Sequence, residues 1–299
     1  MHTAKNNNFI FALLFFVVLL WGVNIVMIKY LTNFFPPLAL APIRLCMATA
    51  LLLPVVLCKQ GYTRPSRSSM LAIMGVASFS IFLHQFSLSW GISMTSSTHA
   101  SLILGLNPLL TTMLASYIMR EPLTRAKLLG ILLGFSGVAL VVSGVSQGTS
   151  TFIGDVVMFI ATITFVIGSL FVKKSTKVLS PLIVTAYSHA LASIGLLVTG
   201  FFVNPVWTYL GAFEPLPLAL LFFSSLVNTA LGALWWNMGI QRVGAATASL
   251  FLNAIPVTGV FAAAIFLGEE LYWIHYAALI LVILGVSLGT GLIGRRSDT

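Results

Sequence analysis

Residues 100–108 read Ala-Ser-Leu-Ile-Leu-Gly-Leu-Asn-Pro, and residues 248–256 read Ala-Ser-Leu-Phe-Leu-Asn-Ala-Ile-Pro. The two stretches lie 148 residues apart and agree at Ala100/Ala248, Ser101/Ser249, Leu102/Leu250, Leu104/Leu252 and Pro108/Pro256. The same offset aligns 91–138 with 239–286 without a gap. It adds Gly91/Gly239, Ile92/Ile240, Ala115/Ala263, Glu121/Glu269, Leu123/Leu271, Leu133/Leu281, Gly137/Gly285 and Val138/Val286, so that 13 of 48 positions are identical. Leucine and alanine matches come easily in an apolar chain. The glycine, proline and glutamate matches carry more, because glycine permits close backbone approach and proline breaks a helix. A weaker match near offset 144 pairs Lys29 with Lys173 and Pro37-Leu38 with Pro181-Leu182. The chain therefore reads as two copies of one unit, residues 1–148 and 149–299.

What the unit is follows from composition. The 299 residues are 59% hydrophobic and 7% charged, where a soluble domain carries about 25% charged residues. A polytopic α-helical membrane protein fits, since one helical span uses about 20 apolar residues. Apolar windows between breakers place spans at 9–31, 37–58, 70–92, 97–119, 124–146, 152–173, 180–202, 216–239, 245–267 and 272–293. The turns are marked by Pro36-Pro37, Gly61 with Pro65, Glu121-Pro122, Gln147-Gly148, Ser180-Pro181, Pro205 to Pro217, Gly244 and Gly268-Glu269-Glu270. Ten spans leave only short loops and tails, with no room for a soluble catalytic or ligand-binding domain. The first apolar run contains Trp21, Gly22 and Asn24 and lacks a small-residue cleavage pattern, so it reads as an uncleaved span. Cys46 and Cys58 sit at opposite ends of one span, too far apart to bridge, and read as packing residues.

The formal charge of +9 is not a nucleic-acid footprint, because its distribution alternates. Alternate segments hold Lys5; Lys59, Arg64 and Arg67; Arg120, Arg125 and Lys127; Lys173, Lys174 and Lys177; Arg242; and Arg295 with Arg296, which is 13 of the 15 basic residues. The intervening loops hold none, while Asp155, Glu214, Glu269 and Glu270 fall on that basic-poor side. Lysine and arginine in short loops stay cytoplasmic, so both termini are predicted to be cytoplasmic, which an even number of spans requires. Five spans per unit is an odd number, so the second copy enters the membrane from the opposite side. The repeat is inverted. Inverted repeats are a signature of secondary transporters, whose halves exchange inward-open and outward-open shapes around a midplane site.

Trp21-Gly22-x-Asn24 with Lys29, Arg44 early in the second span, Asn107-Pro108, Arg120-Glu121-Pro122-Leu123 and a glycine-rich fifth span form one motif set. The weaker copy runs from Pro256 to Gly268-Glu269-Glu270-Leu271. Together they resemble the EamA-type branch of the drug/metabolite transporter superfamily over nearly the whole chain. The resemblance implies ten helices in two inverted five-helix units, placed in the cell (plasma) membrane, and export of amino acids or related small metabolites as the usual activity. The second unit departs from the pattern at Ile255, opposite Asn107, and at Glu270, opposite Pro122.

Polar groups at mid-span need partners in a bilayer and so mark a candidate substrate path. On an α-helical wheel, Ser80, His84 and Ser87 share one face of the third span; the equivalent face of the eighth carries Asn228, Gly232 and Trp235. His99 and Asn107 share a face of the fourth span, where Asn107 is placed to close the break made by Pro108; Asn253 and Pro256 repeat the idea in the ninth. Trp21 and Asn24, with Trp235 or Trp236, are predicted to add an aromatic lining. Lys29 and Arg44 are the basic residues outside cytoplasmic segments, and three roles suit them: drawing a carboxylate, pairing with Glu269 or Asp155 as a gate, or snorkelling to headgroups. The candidate substrate-binding set is thus Trp21, Asn24, Ser80, His84, His99, Asn107, Asn228, Trp235 and Asn253, with Lys29, Arg44 and Glu269 as gate or charge-pairing residues. The predicted partners are a small-molecule substrate and the lipid bilayer, with no nucleic acid, cofactor or metal; the sequence sets no oligomeric state.

His84 and His189 are the deepest histidines, and no Asp or Glu sits at mid-span, so proton exchange and facilitated diffusion both stay open as drivers. Drug or amine efflux and metabolite uptake are the alternative transport readings. An intramembrane enzyme would need a nucleophile with its base or a metal constellation; no Gly-x-Ser-x-Gly or His-Glu-x-x-His motif occurs. A channel would show rings of charge or filter loops, and neither is evident.

Overall fold

The computed structural model describes residues 2–119, 124–142, 150–203 and 213–289, and every regular element among them is helical. The Arg120-Glu121-Pro122-Leu123 motif, Gln147-Gly148, Pro205 and the terminal pair Arg295 and Arg296 lie outside the described residues. Nine helices among the described residues are long and apolar enough to cross a membrane. They are α1 (Asn8–Leu31), α2 (Pro37–Gln60), α3 (Arg67–Met94), α4 (Ser97–Ile118), α5 (Arg125–Val142), α6 (Phe152–Ser175), α7 (Pro181–Gly200), α8 (Pro215–Val243) and α9 (Ala245–Leu267). A shorter apolar helix, α10 (Trp273–Leu288), follows.

Local chemistry sets the helix ends. Proline at the first positions of α2 fits because its missing N–H needs no partner there. Ser66, Ser96 and Thr151 cap α3, α4 and α6, each accepting a backbone N–H, from Ser69 at 3.3 Å, His99 at 3.1 Å and Gly154 at 3.1 Å. Gly268 ends α9 in the left-handed region, φ 67°, a conformation that disfavours a side chain.

The two copies pack as equivalents. α2 lies against α7, α4 against α9 and α5 against α10, each a pair of corresponding helices. Small residues allow the closest approaches. A Cβ on Gly285 would lie 2.7 Å from Gly130 O and 2.8 Å from Gly134 Cα, and one on Gly137 would lie 2.9 Å from Ala278 O. Gly105 abuts Pro256, where a Cβ would come within 2.9 Å of Cγ.

Two departures from α-helical geometry also correspond. A π-helical segment runs over Val76–Leu83 in α3 and another over Ser224–Leu231 in α8, at the same offset as the sequence repeat. α4 is interrupted at Gly105 and Leu106, and α9 by a 3₁₀ turn over Leu250–Asn253. π-turns inside helices concentrate at functional sites; three of the irregularities fall at mid-helix and the fourth in the first half of α9.

Candidate functional site

A cavity of about 90 Å³ opens where the two copies meet. That is room for several waters, since about 10–15 Å³ suffices for one. Its wall draws on α1 to α4 and on α6 to α9, while α5 and α10 stay outside it.

Trp21, Asn24, Ser80, His84, Asn107 and Asn228 all line this cavity. Trp21 donates its indole N–H to Asn228 O at 3.1 Å, tying α1 to the π-helical part of α8. Asn24 Oδ1 accepts from Ser224 Oγ at 2.6 Å in the same segment. The Trp21 ring lies 5.2 Å from Trp236 and 5.9 Å edge-on from Phe165, which in turn lies 5.0 Å from His84. His84 Nδ1 is 2.9 Å from Ala161 O, so a neutral ring donates there and turns its other nitrogen away from that carbonyl. Asn107 donates from Nδ2 to Leu104 O at 2.8 Å, closing the carbonyl freed by the break before Pro108.

Trp235, Asn253 and His99 are not in the wall. A π-turn holds more residues than an α-turn, so the face presented after Asn228 advances by about one position. Ala233, Trp236 and Asn237 take the places an α-helical wheel gives to Gly232 and Trp235. Trp235 packs instead against Phe16, ring centroids 6.0 Å apart. The same slip in α3 brings Gln85 and Leu88 to the wall rather than Ser87. His99 belongs to a polar cluster at the end of the bundle: its Nδ1 is 3.1 Å from Asp155 Oδ2, and Thr95 Oγ1 donates to Asp155 Oδ1 at 2.5 Å.

Of the three charge-pairing candidates, Lys29 and Glu269 lie close enough to interact electrostatically, and Arg44 stands apart. Lys29 donates to Ile92 O at 3.1 Å and Thr95 O at 2.6 Å, near the same end. Glu269 accepts from Ser97 N at 2.7 Å and from Thr98 N and Oγ1 at 3.0 and 2.7 Å, so its carboxylate caps the first turn of α4 from the loop after α9. Arg44 joins neither. It is 2% exposed and lines the cavity, donating from Nη2 to Thr229 Oγ1 at 2.8 Å and from Nη1 to Gln85 Oε1 at 3.4 Å. Its burial does not fit snorkelling to headgroups.

Gln85, Phe165, His189, Thr229 and Asn237 complete the polar and aromatic wall. Of these, the sequence singles out only His189, by depth. His189 Nδ1 lies 2.8 Å from Thr185 O and Nε2 lies 3.3 Å from Thr229 O. Both partners are acceptors, so a neutral ring satisfies only one of them. Among the described residues no group of three or more His, Cys, Asp or Glu side chains is placed to hold a metal ion.

The halves matched by their own sequence are also matched from outside. The EamA-like transporter family model fits residues 8–143 and again 152–290. An uncharacterized transporter of Bacillus subtilis, YyaM, is 30% identical over 286 residues, covering 91% of this chain and 90% of that protein. An uncharacterized transporter of Archaeoglobus fulgidus is 28% identical, covering 90% and 94%. A probable amino-acid metabolite efflux pump of Salmonella typhimurium is 26% identical, covering 90% and 91%. One crystal structure superposes with a TM-score of 0.68 at 18% identity over 96% of this chain and 98% of that one, which shows a common fold. With a duplicated helical unit, a shared mid-helix cavity and two separate family matches, the chain belongs to the EamA-like transporter family and is a multi-pass integral protein of the cell membrane.

Proposed function

We propose that the chain is a secondary transporter that exports amino acids or related small metabolites across the cytoplasmic membrane by alternating access. The observation that carries this is the cavity itself, at mid-helix and walled by corresponding helices of both copies. Two similar halves of opposite orientation around one site would support alternating access. The name of the Salmonella relative supports the substrate class and the direction. The reading includes ten spans with both termini cytoplasmic, for which the alternation of basic residues argues. Asp155, Thr95 and His99, with Lys29 and Glu269, would then hold the outer ends of the helices together.

Everted vesicles from cells with and without the protein, given a panel of labelled amino acids and small metabolites, test the reading. The expected result is protein-dependent uptake of at least one amino acid or amino-acid-derived metabolite into the everted vesicles, reduced by His84→Ala and Trp21→Ala at equal protein abundance. Protein-dependent movement in the opposite direction, or none across the panel, would overturn it. Impermeant thiol labelling of intact cells carrying a cysteine at Lys174 or Arg67 tests the orientation, and labelling from outside would refute it.

A further inference from the structure

Arg44 is the feature that transport in general does not explain. An arginine keeps its charge in nearly every protein setting, and a buried charge costs several kcal/mol unless paired. Among the described residues no carboxylate pairs with it. Asp155 is engaged by Thr95 and His99, Glu269 by Ser97 and Thr98, and Glu270 by the Tyr272 hydroxyl. Glu214 stands at the exposed start of α8. The guanidinium has five N–H donors. Thr229 and Gln85 take two, and buried Nε has no partner. Thr229 is well placed for this role: its own hydroxyl donates to Ser224 O at 3.0 Å, five residues back along the π-turn, which leaves the oxygen lone pair to Arg44.

The unpartnered atoms around it converge. Asn228 Nδ2 and Oδ1, Asn107 Oδ1 and Trp236 Nε1 are buried without a hydrogen bond, and all three residues line the same cavity. Buried polar atoms left this way cost free energy that a ligand recovers by bonding to them.

Resting on the transport reading above, we infer that Arg44 is the anchor for a substrate carboxylate. The cavity then takes metabolites carrying a carboxylate on an apolar or aromatic body and rejects the amines that lack one. Arginine presents parallel N–H groups that match two carboxylate oxygens. The rings of Trp21, Phe165 and Trp236 supply a surface for the body, and the Asn228 and Asn107 oxygens can accept from the ammonium of an amino acid. No acidic side chain among those lining the cavity is available to hold a free amine.

Three probes with one arylethyl body separate the charges: 3-phenylpropionate, phenylalanine and phenethylamine. Binding to the purified full-length protein in detergent is read by thermal shift and by quenching of tryptophan fluorescence. The expected result is that both carboxylates bind and that phenethylamine binds at least about tenfold more weakly, the scale of one charge-assisted hydrogen bond. Arg44→Lys keeps the charge and most of the stem but loses the fork. It is expected to weaken both carboxylates about tenfold or more and to leave phenethylamine unchanged. Equal or tighter binding of the amine, binding of none of the three, or full retention of carboxylate binding by a folded Arg44→Lys protein would each overturn the assignment. If that variant does not fold, the wild-type ranking decides alone. Vesicle transport with an amine-first ranking would remove the anchor and keep the transporter; carboxylate binding without transport of any metabolite would do the reverse.

Discussion

Replacing Gly168 by alanine tests whether the π-helical wall of α3 is held in place by α6. A Cβ at Gly168 would lie 2.5 Å from both the N and the Cα of Ser80. Ordinary contact begins near 3.4 Å, so the backbones must part by about 0.9 Å, and no rotamer change can relieve contacts made to main chain. Overpacking of this kind costs about 1–3 kcal/mol. Alanine recovers about 1 kcal/mol over glycine in a helix interior. The net is a loss of about 0–2 kcal/mol, together with displacement of Ser80 and, one turn on, His84. The matched control is Gly195→Ala, whose Cβ would meet only the ring edge of Phe82, at 3.1 and 3.2 Å. A partly buried ring can swing by a few tenths of an ångström, so this variant is expected to match or exceed wild-type stability. Detergent thermal-shift curves and vesicle transport rates on the same preparations measure both effects. Gly168→Ala is expected to melt lower and to lose a larger fraction of its transport rate than of its folded protein. A Gly168→Ala protein with wild-type stability and rate, or equal damage in both variants, would refute the reasoning.

Glu269→Ala removes three hydrogen bonds to the first turn of α4 and leaves two backbone N–H groups without their carboxylate. Glu269 is partly exposed, so the expected loss is about 1–2 kcal/mol in thermal stability, with Glu269→Gln losing less because one acceptor survives; equal effects of the two would point away from capping. Trp21→Phe keeps an aromatic ring beside Trp236 but deletes the donor to Asn228 O. It is expected to lower stability by about 0.5–1.5 kcal/mol and to slow transport less than Trp21→Ala; indistinguishable rates for the two would show that ring area does not matter.

Much of this could be read from the sequence because the bilayer simplifies the problem. A run of about 20 apolar residues has few alternatives to a spanning helix; nine of the predicted spans fall on α1 to α9 with boundaries differing by a few residues, and the tenth falls on the shorter helix α10. Pro108 and Pro256 located the mid-helix breaks because a missing N–H acts locally. The site is less legible, since its faces depend on helical register. One inserted residue rotates everything beyond it, and nothing in Val76–Leu83 or Ser224–Leu231 announces a π-turn. The wheel therefore found Ser80, His84 and Asn228, at or near the turns, lost Gln85 and Asn237 just beyond them, and left Trp236 as an alternative to Trp235. Arg44 was visible as a misplaced charge, but its burial depends on Gln85 and Thr229, 41 and 185 residues away in sequence.

The same comparison shows what the duplication preserved. Across the two π-helical segments the copies share one identity, Leu83 with Leu231, yet the irregular turn recurs at the same offset. Backbone register has been kept where side chains have not. Had the side chains followed, both walls would carry the same groups, and a ligand would meet equal chemistry at each end. Instead His84 stands opposite a position occupied by Gly232, whose lack of a side chain leaves room for the Trp21 indole: a Cβ there would lie 2.8 Å from Nε1. Arg44 corresponds at offset 148 to Ala192 or at offset 144 to Ser188, neither of them charged. A symmetric scaffold thus encloses an asymmetric cavity with one cation, a cluster of rings and several amides. That polarity suits a substrate whose own ends differ, the carboxylate head and apolar body inferred above.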